Sequence, residues 1–130
     1  MRQRVSTGVV WESTVGYSRA VRSGSFISVS GSTAALPDGS VAHVGDPYGQ
    51  ARATLAVIVK ALAELGARPE DVIRTRMYVT DISQWEAVGR AHGEVFGEIR
   101  PATSMVQVAA LIHPDMLVEI EADAVVQESR

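Results

Sequence analysis

At 130 residues, of which 46% are hydrophobic, the chain is long enough for one domain with a sizeable core and too short for two comfortable ones. We therefore expect a single domain over residues 1–130. The formal net charge of −3 provides no basic surface of the kind that binds nucleic acid, so a nucleic-acid partner is not expected.

Cysteine and histidine usage limits the chemistry further. The chain contains no cysteine, which excludes disulfides and thiolate nucleophiles, and its three histidines are too scattered to form a ligand set. We expect neither a metal nor a cofactor. Nowhere do about 18 uncharged apolar residues follow one another, which argues against a membrane partner and favours a cytoplasmic protein.

The first third of the chain predicts short strands separated by turns. Segments 4–11 and 18–21 have mixed polarity and glycine breakers, so we expect short edge strands there. Residues 25–31, SFISVSG, alternate in polarity and predict a further strand. Residues 32–46 are rich in Pro, Gly and Asp, which is typical of a loop.

A first helix is predicted from Asp46-Pro47 to Gly66. Asp46 is a suitable N-cap, and Pro47 lies in the first turn, where a missing N–H costs nothing. Gly66, followed by Pro69, provides the stop. Apolar side chains recur every three or four residues and form one stripe that packs on a sheet: Leu55, Ile58, Val59, Leu62 and Leu65.

The next strand is predicted over residues 71–80, DVIRTRMYVT, which alternate with a period of two. One face of this strand is apolar and the other is cationic and aromatic. The predicted faces are Ile73, Thr75, Met77 and Val79 against Val72, Arg74, Arg76 and Tyr78.

A second helix is predicted from Ser83 through Phe96. Ser83 and Glu86 have the spacing of a capping box, which marks a helix start. Glycines at positions 89, 93 and 97 lower helix stability. We therefore expect the backbone of this helix to approach another element closely.

The C-terminal stretch predicts two strands joined by a tight connection. Apolar residues dominate 103–112 and 117–126, and His113-Pro114-Asp115 interrupts the two runs. Successive side chains of a strand point to opposite sides, so the second strand has an apolar and an acidic face. These faces are Val118, Ile120, Ala122 and Ala124 against Glu119, Glu121 and Asp123.

This order of elements is typical of an α+β fold with a mixed five- or six-stranded sheet and two helices on one face. The opposite face is predicted to carry Arg74, Arg76, Tyr78, Thr103, Met105, Gln107, Glu119, Glu121 and Asp123. A face that mixes both charges with apolar groups favours contact with copies of the same chain, so we expect a homo-oligomer.

Candidate chemical groups are few, because no dinucleotide, P-loop, esterase or zinc-protease motif occurs. Glu119 and Glu121 are neighbours on one strand face, where repulsion can raise one pKa and produce a general acid; the alternative is ion pairing with Arg74 and Arg76. His92 either shuttles protons or is a buried, hydrogen-bonded structural residue.

Five segments together resemble the RidA/YjgF family, also called the L-PSP endoribonuclease family. They are GYSRAV (16–21), ISVSG (27–31), DVIRTRMYVTDI (71–82), RPATSMVQVAAL (100–111) and VEIEADAV (118–125). The resemblance covers nearly the whole chain and implies a chorismate-mutase-like fold and a homotrimer with three clefts between subunits. It also implies hydrolysis of enamines or imines such as 2-aminoacrylate, with release of ammonia.

The resemblance also implies which residues form the site. Tyr17 matches the cleft tyrosine, Gly31 the backbone that lines the substrate pocket, and Glu119 the acidic residue that handles a water. Val15-Gly16 precedes the tyrosine where the family usually has Gly-Pro. The decisive departure is Thr103, which follows Pro101-Ala102 where active deaminases have an arginine that binds the substrate carboxylate. A neutral hydroxyl cannot replace that charge-assisted, bidentate contact.

The leading hypothesis is therefore a homotrimer that binds a small metabolite in its inter-subunit clefts, with weak or absent 2-aminoacrylate deaminase activity. The alternative is hydrolysis of a different imine or enamine by Glu119 and a bound water, with His92 or Arg100 assisting. Arg100 can bind a carboxylate bidentately, and a solvated loop arginine is an equal alternative. The older family name implies an endoribonuclease, which no basic patch in the sequence supports.

Overall fold

A computed structural model describes residues 2–127, in which a six-stranded mixed sheet has helices packed on one face. The strands are β1 (Arg2–Val5), β2 (Ala20–Ser23), β3 (Phe26–Ser32), β4 (Val72–Val79), β5 (Ala102–Gln107) and β6 (Val118–Val125). The helices are α1 (Val10–Val15), α2 (Pro47–Glu64) and α3 (Trp85–Phe96), with 3₁₀ turns at Pro69–Asp71 and Ile82–Gln84. No helix within residues 2–127 is long and apolar enough to cross a membrane.

The strand order is β1-β2-β3-β6-β4-β5. Only the β4–β5 pair is parallel, and the other neighbours are antiparallel. The predicted tight connection between the last two strands is wrong, because β4 lies between them. Helix α3 is the crossover that places β5 parallel to β4. Strand β5 ends at Gln107, and residues 108–117 lead back to β6 in the interior of the sheet.

The N-terminal segment contains a helix where a strand was predicted. Only residues 2–5 of this region are extended, and α1 follows at Val10–Val15. The buried Glu12 fastens this short helix to the preceding turn, since its carboxylate accepts hydrogen bonds from Ser6 Oγ at 2.7 Å and from Thr7 N at 3.1 Å. Gly16 ends α1 with φ 94°, a backbone conformation that favours glycine.

The prediction for α2 is confirmed in detail. Asp46 caps the helix, because its side chain accepts a hydrogen bond from Gly49 N at 2.9 Å, and Pro47 is the first helical residue. The inward-facing residues of α2 contact the apolar side chains of β3 and β6, and together these form the core. Burial of that apolar stripe holds the helix on the sheet.

The start of α3 differs from the prediction. The helix begins at Trp85, and the Ser83 and Glu86 capping box does not form; instead the Asp81 carboxylate accepts hydrogen bonds from Ser83 N and Oγ. The expected close approach along the glycines is also wrong, since a Cβ on Gly93 would meet nothing within 4 Å.

The predicted faces are confirmed for β6 and corrected for β4 and β5. In β4 a register shift between Val72 and Arg74 changes the alternation, so Val72 is buried while Ile73 is 50% exposed. In β5, Thr103 pairs with the buried Thr75, which places Thr103 on the helix-covered side and not on the open side. The same holds for Met105, which packs against the core, and for Gln107, which pairs with the buried Val79.

Candidate functional site

A cavity of about 530 Å³ brings together three of the residues that the sequence predicted for the site, Tyr17, Gly31 and Glu119. Its walls come from the segment around α1, from β3 and β6, from the loop that leads into β6, and from Val57 of α2. Arg19 also lines it, although sequence reasoning did not single out this residue. A cavity of this size accommodates a small metabolite.

Gly31 allows the Glu119 side chain to lie against β3. The pairing of β3 with β6 shifts register between Val29 and Ser32, and Gly31 lies within that irregularity. A Cβ at this position would be 2.8 Å from Glu119 Cδ, closer than carbon atoms approach. Glycine is therefore required here if the Glu119 carboxyl group is to keep its place in the cavity.

Glu119 is the carboxyl group of the cavity with no internal partner. No hydrogen bond or ion pair within residues 2–127 reaches its oxygens. Burial raises the pKa of Glu119, the negative charge of Glu121 raises that pKa further, and Arg19 opposes the shift. A carboxyl group in this state can exchange a proton with a bound water or substrate and act as general acid and base.

In contrast to Glu119, the neighbouring carboxylates of β6, Glu121 and Asp123, form ion pairs and hydrogen bonds. Arg76 Nη1 lies 3.6 Å from Glu121 Oε1 and 3.1 Å from Asp123 Oδ2, and Tyr78 OH donates to Glu121 Oε1 at 2.7 Å. The ion-pair alternative therefore holds for Glu121 and not for Glu119. Arg74 takes no part, since its Nη2 donates to Ser104 Oγ at 2.7 Å.

Arg19 is a buried cation in the cavity wall. Its Nη2 donates a hydrogen bond to Gly31 O at 2.5 Å, and its Cζ lies 5.6 Å from the centre of the Tyr17 ring. Only 6% of the residue is exposed. In the sequence, Arg19 stands out only as a charged residue directly before the apolar pair Ala20-Val21. That position by itself does not indicate burial.

Thr103 and His92 lie elsewhere, in a hydrogen-bonded chain on the helix-covered side. Thr103 Oγ1 donates to Pro101 O at 3.2 Å, and Thr75 Oγ1 lies 2.7 Å from Thr103 Oγ1 and 2.8 Å from His92 Nε2. Each hydroxyl has one hydrogen, so Thr75 donates to Thr103 and the His92 Nε2–H donates to Thr75. Burial lowers the pKa of His92, which keeps the ring neutral.

Neither Thr103 nor His92 lines the cavity of Glu119 within one protomer. His92 has the contacts of the structural alternative, including a ring contact to Phe96 with centroids 4.7 Å apart. Arg100 is also outside the cavity wall, and its backbone N–H ends α3 by donating to Phe96 O at 2.8 Å. A site that joins residue 103 to Glu119 requires a second protomer and stays a prediction.

No group of three or more His, Cys, Asp or Glu side chains within the described range 2–127 is arranged to hold a metal ion. The polar groups that line the cavity include the Glu119 and Glu121 carboxyl groups, the Arg19 guanidinium and the Tyr17 phenol.

Both sequence and fold match known proteins. The family model described as Endoribonuclease L-PSP matches residues 9–126. The protein SCO2049 of Streptomyces coelicolor is 39% identical over 122 residues, which are 94% of this chain and 90% of that protein. The 3-aminoacrylate deaminase RutC of Acinetobacter baylyi is 34% identical over 108 residues, 83% of this chain and 85% of RutC.

A solved structure gives the same assignment. The crystal structure of Rv2704 from Mycobacterium tuberculosis, a member of the YjgF/YER057c/UK114 family, aligns with a TM-score of 0.88 at 52% identity, over 97% of this chain and 100% of that one. The chain therefore belongs to the L-PSP endoribonuclease family, the family of the RidA and YjgF proteins.

Proposed function

We propose that this protein hydrolyses the C–N bond of a small imine or enamine in the cavity around Glu119. The observation that carries the proposal is the Glu119 carboxyl group itself, which is half-buried, has a raised pKa and has no partner within residues 2–127. The relative RutC, named a 3-aminoacrylate deaminase, supports the same class of reaction.

The proposed reaction needs only one group that both accepts and donates a proton. The Glu119 carboxylate accepts a proton from water as the water oxygen bonds to the carbon of the protonated imine. The protonated Glu119 then donates that proton to the nitrogen of the resulting carbinolamine. The C–N bond breaks, ammonia leaves, and the hydroxyl proton passes to solvent as the carbonyl forms. An enamine substrate is first protonated on carbon and then follows the same path.

We further propose that the single domain of residues 1–130 forms a homotrimer in which residue 103 of one protomer faces the cavity of the next. The open face of the sheet exposes Phe26 (46%) and Val106 (48%) beside the Arg76 ion pairs, a composition that suits contact with other copies. Processing of 2-aminoacrylate is expected to be weak, because Thr103 supplies a hydroxyl already bonded to its neighbours and no charge.

The test is ammonia release from a set of small imines and enamines generated in situ, including those formed by a threonine dehydratase. Glu119→Gln is expected to lower turnover by about 10²- to 10⁴-fold, the usual contribution of a general acid or base. Asp123→Asn is the matched control, since Asp123 lies on the same face of β6 but pairs with Arg76 outside the cavity.

Circular dichroism must report the same fold for both variants. Turnover that Glu119→Gln leaves intact would overturn the proposal. If the protein binds some of these imines or enamines but accelerates the hydrolysis of none, metabolite binding alone would be the favoured role. The endoribonuclease activity in the family name is not proposed for this chain, whose net charge is −3.

A further inference from the structure

Arg19 is a buried cation with an unsatisfied hydrogen-bond donor. It is 6% exposed, and none of the ion pairs found within residues 2–127 includes it. Its Nη2 has one acceptor, Gly31 O, while its Nε is buried and meets no acceptor in the described part of the chain. A guanidinium carries five N–H donors, and a charge that is buried without its counter-charge is unfavourable.

The nearby carboxyl groups do not satisfy this cation. Glu12 is committed to the turn before α1, where its oxygens accept from Ser6 Oγ at 2.7 Å and from Thr7 Oγ1 at 2.5 Å. Glu12 and Glu119 both attract Arg19 electrostatically, but neither accepts a hydrogen bond from it or lies within ion-pair distance of it. No carboxylate within residues 2–127 therefore accepts a hydrogen bond from the guanidinium, and an anion that enters the cavity can do so.

The position of Arg19 relative to Glu119 suits a small substrate that bridges them. Gly31 connects the two, because its carbonyl accepts from Arg19 Nη2 while its Cα faces the Glu119 carboxyl group. Tyr17 flanks the guanidinium, with its ring centre 5.6 Å from Arg19 Cζ. An acid bound at Arg19 therefore shares one cavity with the Glu119 carboxyl group.

We propose that Arg19 is the anion-binding residue of this cavity and that the substrate is a small carboxylic acid, bound through its carboxylate to the guanidinium. This inference rests on the proposed function, whose site it specifies. It moves the carboxylate contact from residue 103, where this chain has threonine, to a residue of the same protomer as Glu119. A charge-assisted bond at Arg19 binds a carboxylate at a place different from that of residue 103.

The test compares propanoate with propanamide, its neutral isostere, by NMR titration of the ¹⁵N-labelled full-length protein at pH 7. Propanoate is expected to bind at least about tenfold more tightly and to shift the Arg19 Nε–H resonance, because a charged acceptor strengthens the bond. That resonance is assigned from its loss in Arg19→Lys. A wild-type protein that binds neither compound, or both equally, overturns the inference.

Variants give a second readout. Arg19→Gln is expected to weaken propanoate binding at least about tenfold and to leave propanamide unchanged. Arg52→Gln, which removes the same charge from the exposed surface of α2, is expected to change neither. Thermal unfolding reports whether Arg19→Gln folds. If it does not, the comparison of propanoate with propanamide on the wild-type protein, with the Nε–H resonance assigned through Arg19→Lys, still tests the inference.

The two proposals fail separately. If Glu119→Gln abolishes ammonia release while Arg19→Gln leaves propanoate binding unchanged, the proposed hydrolysis is supported and the proposed carboxylate contact is wrong. If propanoate binding depends on Arg19 and no imine is hydrolysed, the anion site stands and the proposed reaction is wrong.

Discussion

Two polar clusters in different parts of the molecule use their hydrogen bonds differently. On the helix-covered side, His92, Thr75 and Thr103 form a neutral chain in which each hydroxyl hydrogen has an acceptor. In the cavity, Arg19 and Glu119 are charged or titratable groups with bonding capacity left over. Satisfied polar groups hold a fold together, whereas spare donors and a carboxyl group with a perturbed pKa are what a ligand or a reaction uses.

The importance of the Glu119 position is tested most strongly by moving its carboxyl group without removing it. Gly31→Ala places a Cβ where it would lie 2.8 Å from Glu119 Cδ, so the carboxyl group must shift. A misplacement of about 1 Å costs about 10²-fold in rate, and we expect turnover to fall by that much. Gly93→Ala is the matched control, since its Cβ meets nothing within 4 Å. An unchanged rate of ammonia release in Gly31→Ala would mean that the position of Glu119 does not matter.

Adding a charge to the other cluster tests whether residue 103 contributes to a cleft. Thr103→Arg is expected to raise 2-aminoacrylate deamination by about 10- to 100-fold, the value of a charge-assisted hydrogen bond of about 1.5–3 kcal/mol. The rate of keto acid release in a threonine dehydratase reaction measures it. Arg74→Gln in the same background is a control on overall charge. No gain would argue that residue 103 lies outside the site in the assembled protein.

The hydrogen-bonded cluster of His92, Thr75 and Thr103 is expected to stabilise the fold. Thr75→Val removes the central hydroxyl, which is fully buried, and leaves His92 Nε2–H and Thr103 without their partner. We expect a loss of about 1–3 kcal/mol in the free energy of unfolding, measured by urea denaturation. Thr54→Val is the control, because its buried hydroxyl bonds only Gln50 O of its own helix and should cost less. Equal losses in the free energy of unfolding would mean that the hydrogen bonds among His92, Thr75 and Thr103 contribute no more than a bond within one helix.

The smallest expected effect is a pH dependence from His92. Burial lowers the pKa of His92 below the ordinary value of 6.5, so in the interval between the two values the unfolded chain binds more protons. The free energy of unfolding therefore rises as pH rises through that interval, by at most about 1.4 kcal/mol per pH unit. His92→Gln should flatten this rise, and His43→Gln, at an exposed position, should not. A slope that His92→Gln leaves unchanged would contradict the assignment.

Local patterns predicted the elements that local rules control. Helix α2 follows from the Asp46-Pro47 start and its apolar stripe, and the two faces of β6 follow from strict alternation. The same alternation misplaced Ile73 and Thr103, because a register shift and the parallel pairing of β5 with β4 change which way side chains point. Those features depend on partner strands that are distant in sequence.

Motifs and local patterns in the sequence were enough to predict the family, the α+β class and the first helix, and they named Tyr17, Gly31 and Glu119, which line one cavity. The three-dimensional arrangement was needed to see that Glu121 is paired while Glu119 is not, that Thr103 bonds to Thr75, and that Arg19 is buried in the cavity wall. The reason is that burial and hydrogen-bond partners are set by strands and loops brought together in space, and these surroundings distinguish chemically identical side chains.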